Sequence, residues 1–211
     1  MSEETKLLEA VKKLREVSTE KKRNFNQTVD LIINLKDFDV RREAFNIFIQ
    51  LPHKAKEKKI TGFLEKDSTL VNTIKKEEFP KYKEKKDIKK LIKEYDFFIA
   101  NAKLMPTVAT AFGRVLGPVG KMPSPQLGIV PNEEEAVMKK LIEKINLTVR
   151  VRVKEPSIKI PIGKEDLSDE EIVENALTVY HKILENLPRK QDNIRNVKIK
   201  FTMSKPIKTE I

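Results

Sequence analysis

The sequence predicts a mixed α/β and α+β protein in which a discontinuous domain, holding both termini, carries an inserted parallel α/β domain. Three observations lead there. The front of the chain reads as one helix and two strands, and the back as extended segments around one long helix, so neither end completes a fold alone. Between them strands and helices alternate, the pattern of a small parallel sheet. A charged run without an apolar face at residues 53–59 and a break at Pro156 mark two chain crossings, which would form a double hinge. The expected boundaries are 1–59 with 154–211 for the outer domain and 60–153 for the insertion.

Leu7, Leu8, Val11 and Leu14 recur at helical spacing and predict an amphipathic helix over residues 5–18. Val29, Leu31, Ile33 and Leu35 alternate, which predicts a strand with one buried face. Residues 44–51 read as a second strand stopped by Pro52, and a hairpin across 37–42 would join the two. In the insertion, 60–64 reads as a short strand and 68–74 as a short helix. A helix over 87–95 turns Ile88, Leu91 and Ile92 inward, a buried strand occupies 96–100, and another helix spans 104–116. Asn132, followed by three glutamates, reads as the N-cap and acidic first turn of a helix running to about 145. Residues 148–154 form a strand with one apolar and one basic face. Extended structure resumes after Pro156. Ser168 caps a long helix carrying Ile172, Ala176, Val179, Ile183 and Leu187, and 194–203 is the last strand.

A chain of 211 residues can bury a sizeable core, and no apolar run approaches the roughly 18 residues a membrane helix needs. The acidic start, Met1-Ser2-Glu3-Glu4, lacks the apolar segment of a secretory signal. There is no cysteine, hence neither disulfide framework nor thiolate nucleophile. These features point to a cytoplasmic protein without a membrane partner. The net charge of +11 points to a polyanionic partner, of which nucleic acid is the commonest. Abundant Lys with Glu also marks proteins of hot environments, but mixed charge alone does not produce such an excess. Both regions share that excess and neither has a basic tail, so binding must use shaped patches on folded surfaces.

Residues 113–126 hold three of the six glycines and three of the eleven prolines, a composition that resists ordinary helix or strand. Their spacing excludes familiar phosphate cradles. Gly120-Lys121 is followed by Met122 where a Walker loop needs Ser or Thr, and Val115 stands where its first glycine belongs. Glycines at 113, 117 and 120 do not fit the dinucleotide fingerprint either.

Catalysis finds little support. His181 lies within an amphipathic helix, and His53 follows Pro52 at a hinge, where a backbone or RNA contact suits it better than general-base work. No His, Cys or carboxylate cluster has metal-ligand spacing, and no cofactor is implied. The acidic runs 133–135 and 169–171 are accounted for by helix starts. Arg150, Arg152 and Lys154 on one strand face could track phosphates or protect a sheet edge by charge. Lys21, Lys22, Arg23 and Phe25 interleave base with aromatic, offering phosphate pairing beside a stacking face, although a lone Phe is often core.

Several pieces, in order, resemble one family. They are Phe25-Asn-Gln-Thr28-Val before an alternating strand, Leu51-Pro52-His53, the Gly117-Pro118-Val-Gly120-Lys121-Met122-Pro123 loop, Pro161-Ile-Gly163-Lys164, and a terminal strand ending Thr202-Met203. Over essentially its whole length the chain is similar to the large-subunit ribosomal proteins of the mobile stalk beside the tRNA exit site. These are the first in the large-subunit series, and the likeness is to their archaeal form. The resemblance implies a split α/β domain that binds a stalk helix of large-subunit rRNA, and an inserted Rossmann-like domain. It implies contact with exit-site tRNA and, in several members, repression of the protein's own mRNA. Carried over by motif, the RNA face comprises Phe25, Thr28, Lys164, Thr202 and Met203, with Lys22, Arg23, His53 and Ser204 beside them. Members often have Gly after the Thr-Met pair. Here Ser204 stands there, which puts a left-handed backbone role at that position in doubt. The competing reading is a nucleotide- or phosphate-binding enzyme built on the central α/β domain and its glycine loop.

Overall fold

A computed structural model of the chain describes residues 2–19, 23–82 and 84–209. It comprises two compact units, one made of Met1–Lys56 with Leu147–Ile211 and the other of Glu57–Asn146.

In the terminal unit, α1 (Glu3–Thr19) starts with two glutamates that complement the N–H groups of its first turn. It buries Leu7, Ala10, Val11 and Leu14, one stripe at helical spacing. β1 (Thr28–Leu35) buries Val29, Leu31, Ile33 and Leu35 and leaves the intervening residues half-exposed. It is an interior strand, antiparallel to β8 (Ser157–Lys164) on one side and to β9 (Ile194–Phe201) on the other. With the edge strand β10 (Ile207–Thr209) the sheet order is β10-β9-β1-β8. The long helix α6 (Asp169–Asn186) opens on a reciprocal cap. The Ser168 hydroxyl accepts from the Glu171 N–H at 3.2 Å, and the Glu171 carboxylate accepts from the Ser168 N–H at 2.9 Å. Its inward residues join those of α1 and the sheet in one core. A two-stranded antiparallel ribbon of β2 (Asn46–Gln50) and β7 (Thr148–Arg152) sends Ile49, Val149 and Val151 into the same core.

In the central unit four parallel strands lie in the order β4-β3-β5-β6, namely β3 (Ile60–Phe63), β4 (Asn72–Ile74), β5 (Phe97–Asn101) and β6 (Ile129–Val130). Helices α3 (Lys85–Glu94), α4 (Met105–Val119) and α5 (Glu135–Leu147) connect or follow them. The core is an aromatic cluster. Phe112 of α4 lies 4.9 Å from the Phe63 ring and edge-on to Phe79 at 5.1 Å.

Five expectations change. β1 and β2 form no hairpin, because residues 40–43 are the short helix α2 (Val40–Glu43), capped by Asp39, and β1 spends both edges on the C-terminal strands. Residues 68–74 are no helix. Thr73 Oγ1 accepts from the Ser68 N–H in a turn, and Asn72, Thr73 and Ile74 then pair beside β3. Asn132 caps nothing, since α5 begins at Glu135. The strand at 148–152 was expected in the insertion, yet it pairs with β2 in the terminal unit, so the chain passes between units at 146/147 rather than 153/154. Finally, α4 runs through Gly113, Gly117 and Pro118, so the irregular segment starts only at Gly120. Pro118 sits in the last turn, where one lost backbone bond does not interrupt a continuing helix.

The two helical glycines differ in a testable way. A methyl group at Gly113 or Gly117 would meet nothing within 4 Å. Gly113→Ala should therefore stabilise the central unit by about 0.5–1 kcal/mol through helix propensity. Gly117 precedes Pro118, whose ring disfavours helical backbone for any preceding residue with a Cβ. Gly117→Ala should gain less or destabilise. Hydrogen exchange of the α4 amides in both variants checks this, and equal gains would remove the pre-proline argument.

Candidate nucleic-acid interface

The polar centre of the terminal unit is Gln27, 3% exposed, just ahead of β1. Its amide nitrogen donates to Ser18 Oγ at 3.1 Å and to Glu165 Oε2 at 3.3 Å, and its carbonyl oxygen accepts from the Met203 N–H at 3.2 Å. The backbone joins in, since the Glu165 N–H donates to the Gln27 carbonyl at 2.9 Å. Arg15 of α1 reinforces the same loop through Asp169 and through the Glu165 carbonyl, to which Nη1 donates at 2.9 Å. Three segments far apart in sequence, 15–18, 27 and 165–169, are thereby fixed against the turn at 202–204.

That turn is tied to β1 as well. The Thr202 N–H donates to the Thr28 carbonyl at 3.0 Å, and the Thr28 N–H donates to Thr202 Oγ1 at 3.1 Å. The Thr202 hydroxyl also donates to the Thr28 carbonyl at 3.3 Å, so it closes the strand end on both backbone groups of Thr28. Ser204 Oγ accepts from the Phe201 N–H at 2.9 Å. Among the described residues the non-glycines with positive φ are Asp37 and Lys190, so Ser204 needs no left-handed backbone. Met203 is 57% exposed and Phe25 52%, and neither is core. Val17, Arg23, Met203, Ser204 and Lys205, with Ser18 and Gln27, line a surface depression of about 330 Å3. Lys164 ends β8 directly opposite Thr28.

Arg23, Thr28, Lys164, Thr202, Met203 and Ser204 are therefore gathered around the end of one sheet, with Phe25 exposed three residues before β1. Lys22 lies outside the described residues. His53 is engaged elsewhere. Its ring nitrogens lie 2.7 Å from Glu174 and 3.5 Å from Glu171 on α6, and its N–H donates to the buried Asn175 side chain at 3.0 Å. An imidazole between two carboxylates is a poor phosphate contact, so the structure gives His53 a docking role on α6.

The sheet face opposite the core carries a feature missed in the sequence. Cross-strand register places Lys198 between Lys208 and Ile32, Lys159 on the far side of Ile32, and Lys200 beside Asp30. Asp30 is the one carboxylate among the described residues of these strand positions. Burial pushes its carboxyl up, partly offset by Lys200. Each lysine was visible in the strands. Their convergence depends on β1 lying between β8 and β9, which local pattern does not reveal.

In the central unit the Gly/Pro segment has an architectural explanation. Gly120 closes α4 at φ 78°, with its N–H on the Gly117 carbonyl at 2.9 Å, and the Lys121 N–H reaches the Leu116 carbonyl at 3.0 Å. Lys121 Nζ donates to the carbonyls of Ile92 and Tyr95, at 2.7 and 2.6 Å, and so caps the C-terminus of α3. Met122 packs against the aromatic core, and Pro123 lies beside Gly128, whose φ of 122° lets the chain pass close to Phe98.

A profile of the ribosomal protein L1p/L10e family matches residues 14–205. The chain belongs to the ribosomal protein L1p/L10e family. Large ribosomal subunit protein uL1 of Thermococcus kodakarensis is 38% identical, over 97% of both chains. The uL1 protein of Nanoarchaeum equitans is also 38% identical, over 95% of this chain and 98% of that one. That of Thermofilum pendens is 39% identical, over 96% and 92% respectively.

In this family member the crevice at the C-terminal ends of the parallel strands, where open α/β sheets take ligands, is internally occupied. The Glu133 carboxylate accepts from the backbone N–H groups of Glu65 and Lys66 at 2.8 and 2.9 Å and from Asn101 Nδ2 at 2.6 Å. Those donors would otherwise suit a phosphate. Burial pushes this carboxyl up, but the bonds from Asn101, Glu65 and Lys66 outweigh it and hold the group below its ordinary value. A folded pKa below the unfolded one stabilises above the unfolded value, near 4.3, and that contribution is lost as pH falls through the folded pKa. Glu133→Gln should therefore destabilise the protein at pH 7, and its deficit should shrink steadily below pH of about 4. Unfolding curves of the two proteins across that range decide it.

Gln27→Leu removes bonds to three segments from a buried position and should cost about 1–3 kcal/mol. Denaturant midpoints compared with wild type measure this, and an unchanged midpoint would mean the network is not holding the segments together.

Proposed function

We propose that the protein is a structural, non-catalytic component of the large ribosomal subunit in the cytoplasm, its terminal unit binding the stalk helix of large-subunit rRNA beside the tRNA exit site. The observation that carries this reading is the exposure of Phe25 and Met203 at the end of a sheet whose outer face is studded with lysine. Like charges directly across strands, as at Lys198 and Lys208, disfavour the isolated sheet and are relieved by a polyanion. An exposed ring and thioether beside them supply surfaces for unstacked bases and sugars. Family membership supports rRNA as that polyanion. In this reading the stalk complex contacts exit-site tRNA and assists its release, and the same surface, recognising a similar fold in the protein's own mRNA, represses its translation. The protein acts as a monomer off the ribosome.

Phe25→Ala and Met203→Ala should leave stability within about 1 kcal/mol, since both side chains are more than half exposed. Each should weaken binding of a stalk rRNA fragment by about 1–3 kcal/mol and leave an unrelated hairpin little affected. Lys164→Ala should weaken both RNAs and make the salt dependence shallower by about one ion. Titrations of the two RNAs at several salt concentrations measure all three, and equal affinity of the wild-type protein for stalk fragment and hairpin would overturn specific recognition. Calorimetry with ATP, GTP and dinucleotides tests the enzyme alternative, for which the occupied crevice predicts no saturable binding.

A further inference from the structure

At the end of β1 far from the Thr28 rim, the open face of the terminal sheet carries a polar row that the sheet-end interface does not use. Asn34 lies six residues along the strand from Thr28, about 20 Å away. Register sets Asn196 of β9 directly opposite it on one side and Ser157 of β8 opposite it on the other. Opposed residues of antiparallel strands share a face, so the three side chains form one line across three strands. Their hydrogen bonds run in one direction. Ser157 Oγ donates to Asn34 Oδ1 at 2.8 Å, and Asn34 Nδ2 donates to Asn196 Oδ1 at 2.7 Å. The relay orients both amides and leaves part of their capacity unspent. Asn34 keeps one side-chain N–H, Asn196 keeps two, and among the described residues no acceptor meets them. Asparagine is among the poorer strand formers, and two of them opposed in mid-sheet gain little from burial, since the whole row is half-exposed. A locally unfavourable choice held in order by its own bonds is the mark expected of a surface kept for a ligand. The neighbouring row is cationic. Two residues toward the rim, about 7 Å along the strands, Lys208, Lys198 and Lys159 stand in line with Ile32. No carboxylate stands among the described residues of either row.

We propose that this face is a second RNA subsite, in which the lysine row holds the backbone of a single-stranded segment and the Ser157–Asn34–Asn196 row reads the edge of an unpaired base. The proposal rests on the reading that the partner is RNA, and it adds a sequence-reading contact about 20 Å from the rim. The chemistry selects the occupant. Lysines alone would suffice for an acidic protein segment, whereas amide donors and acceptors held side by side complement a nucleobase edge. Duplex RNA hides such edges, so the target is an unpaired nucleotide of a loop or bulge. Ile32, half-exposed between Lys198 and Lys159, gives the base or its sugar an apolar floor. The lysines position the strand and the amides specify it.

The test uses the full chain with a stalk rRNA fragment and an unrelated hairpin of the same length. Asn34→Val with Asn196→Val removes the amides and suits a strand better, so its melting temperature should equal or exceed that of wild type. It should bind the stalk fragment about ten-fold more weakly, hold the hairpin as before and keep the salt dependence, because no charge is lost. Lys159→Gln with Lys198→Gln should instead weaken both RNAs and make the salt dependence shallower by about two ions. Chemical probing of Watson–Crick edges should show an unpaired base shielded by wild type and open with the asparagine variant, while bases shielded at the sheet end stay protected. Unchanged affinity and unchanged shielding with the asparagine variant would overturn the proposal and leave the sheet-end reading intact. If wild type does not prefer the stalk fragment to the hairpin, the sheet-end reading falls and the subsite falls with it. Binding of a polyglutamate peptide that is lost in the lysine variant, with the stalk fragment bound by both variants as by wild type, would give the face to an acidic protein and overturn the RNA occupant. A double asparagine variant that fails to fold would be replaced by Asn196→Ala alone, for which loss of the shielded base is expected and no change again overturns the proposal.

Discussion

One buried amide holds the terminal unit in register with itself. Gln27 has four hydrogen-bonding capacities on its side chain and uses three of them, one each on α1, the loop before α6 and the turn after β9. Leaving any of these partners unmatched in a buried place would cost more than the bond itself contributes. The network therefore acts as an alignment constraint. Thr28, Thr202, Met203 and Arg23 can share one rim only if the segments bearing them are locked together, and hydrophobic packing alone does not specify such detail. Side chains that face outward from this rim are free of structural duty: Met203 contributes its backbone to the network and leaves its thioether exposed.

The two units solve the problem of backbone ends differently. In the central unit the crevice at the strand ends is filled by Glu133, and the C-terminus of α3 by Lys121, so charged side chains of the chain stand where ligands would complete other sheets. In the terminal unit the corresponding polar groups are satisfied internally, but the charges on the open sheet face are not balanced. An anion would be redundant in the first case and compensating in the second. That contrast, rather than the glycine content of the central segment, separates the surface suited to a polyanion from the one that is merely irregular.

Much of this was legible in the sequence because it depends on local periodicity. The stripe Leu7, Val11, Leu14, the alternation of β1 and the Ser168 cap each read directly from neighbouring residues. What misled was non-local. Asn132 has the composition of a cap, yet Glu133 satisfies donors that lie some seventy residues earlier. Residues 148–152 follow a helix of the central unit without a break, and only pairing with β2 assigns them to the terminal unit. Glycine and proline in residues 113–119 argued against helix, but a terminal turn tolerates both. At the site, Phe25, Thr28, Thr202 and Met203 were legible as a motif. Gln27 stood among them unremarked, because a polar residue before a strand carries no outward sign that it will be buried.

The position of β1 in the sheet has a consequence for how the molecule comes into being. Both its neighbours are strands from the last third of the chain, so β1 leaves the ribosome with no partner available. At synthesis rates of about 5–20 residues per second, the wait for β9 is on the order of ten to thirty seconds. During it, the central unit, whose parallel strands are all contained within residues 57–146, can assemble alone. The tethered front segment must meanwhile keep an apolar strand from pairing elsewhere, a task for nascent-chain chaperones or for a helix that shields it. A prematurely terminated chain would hold a folded middle and an orphaned strand, and no sheet at all with which to engage RNA.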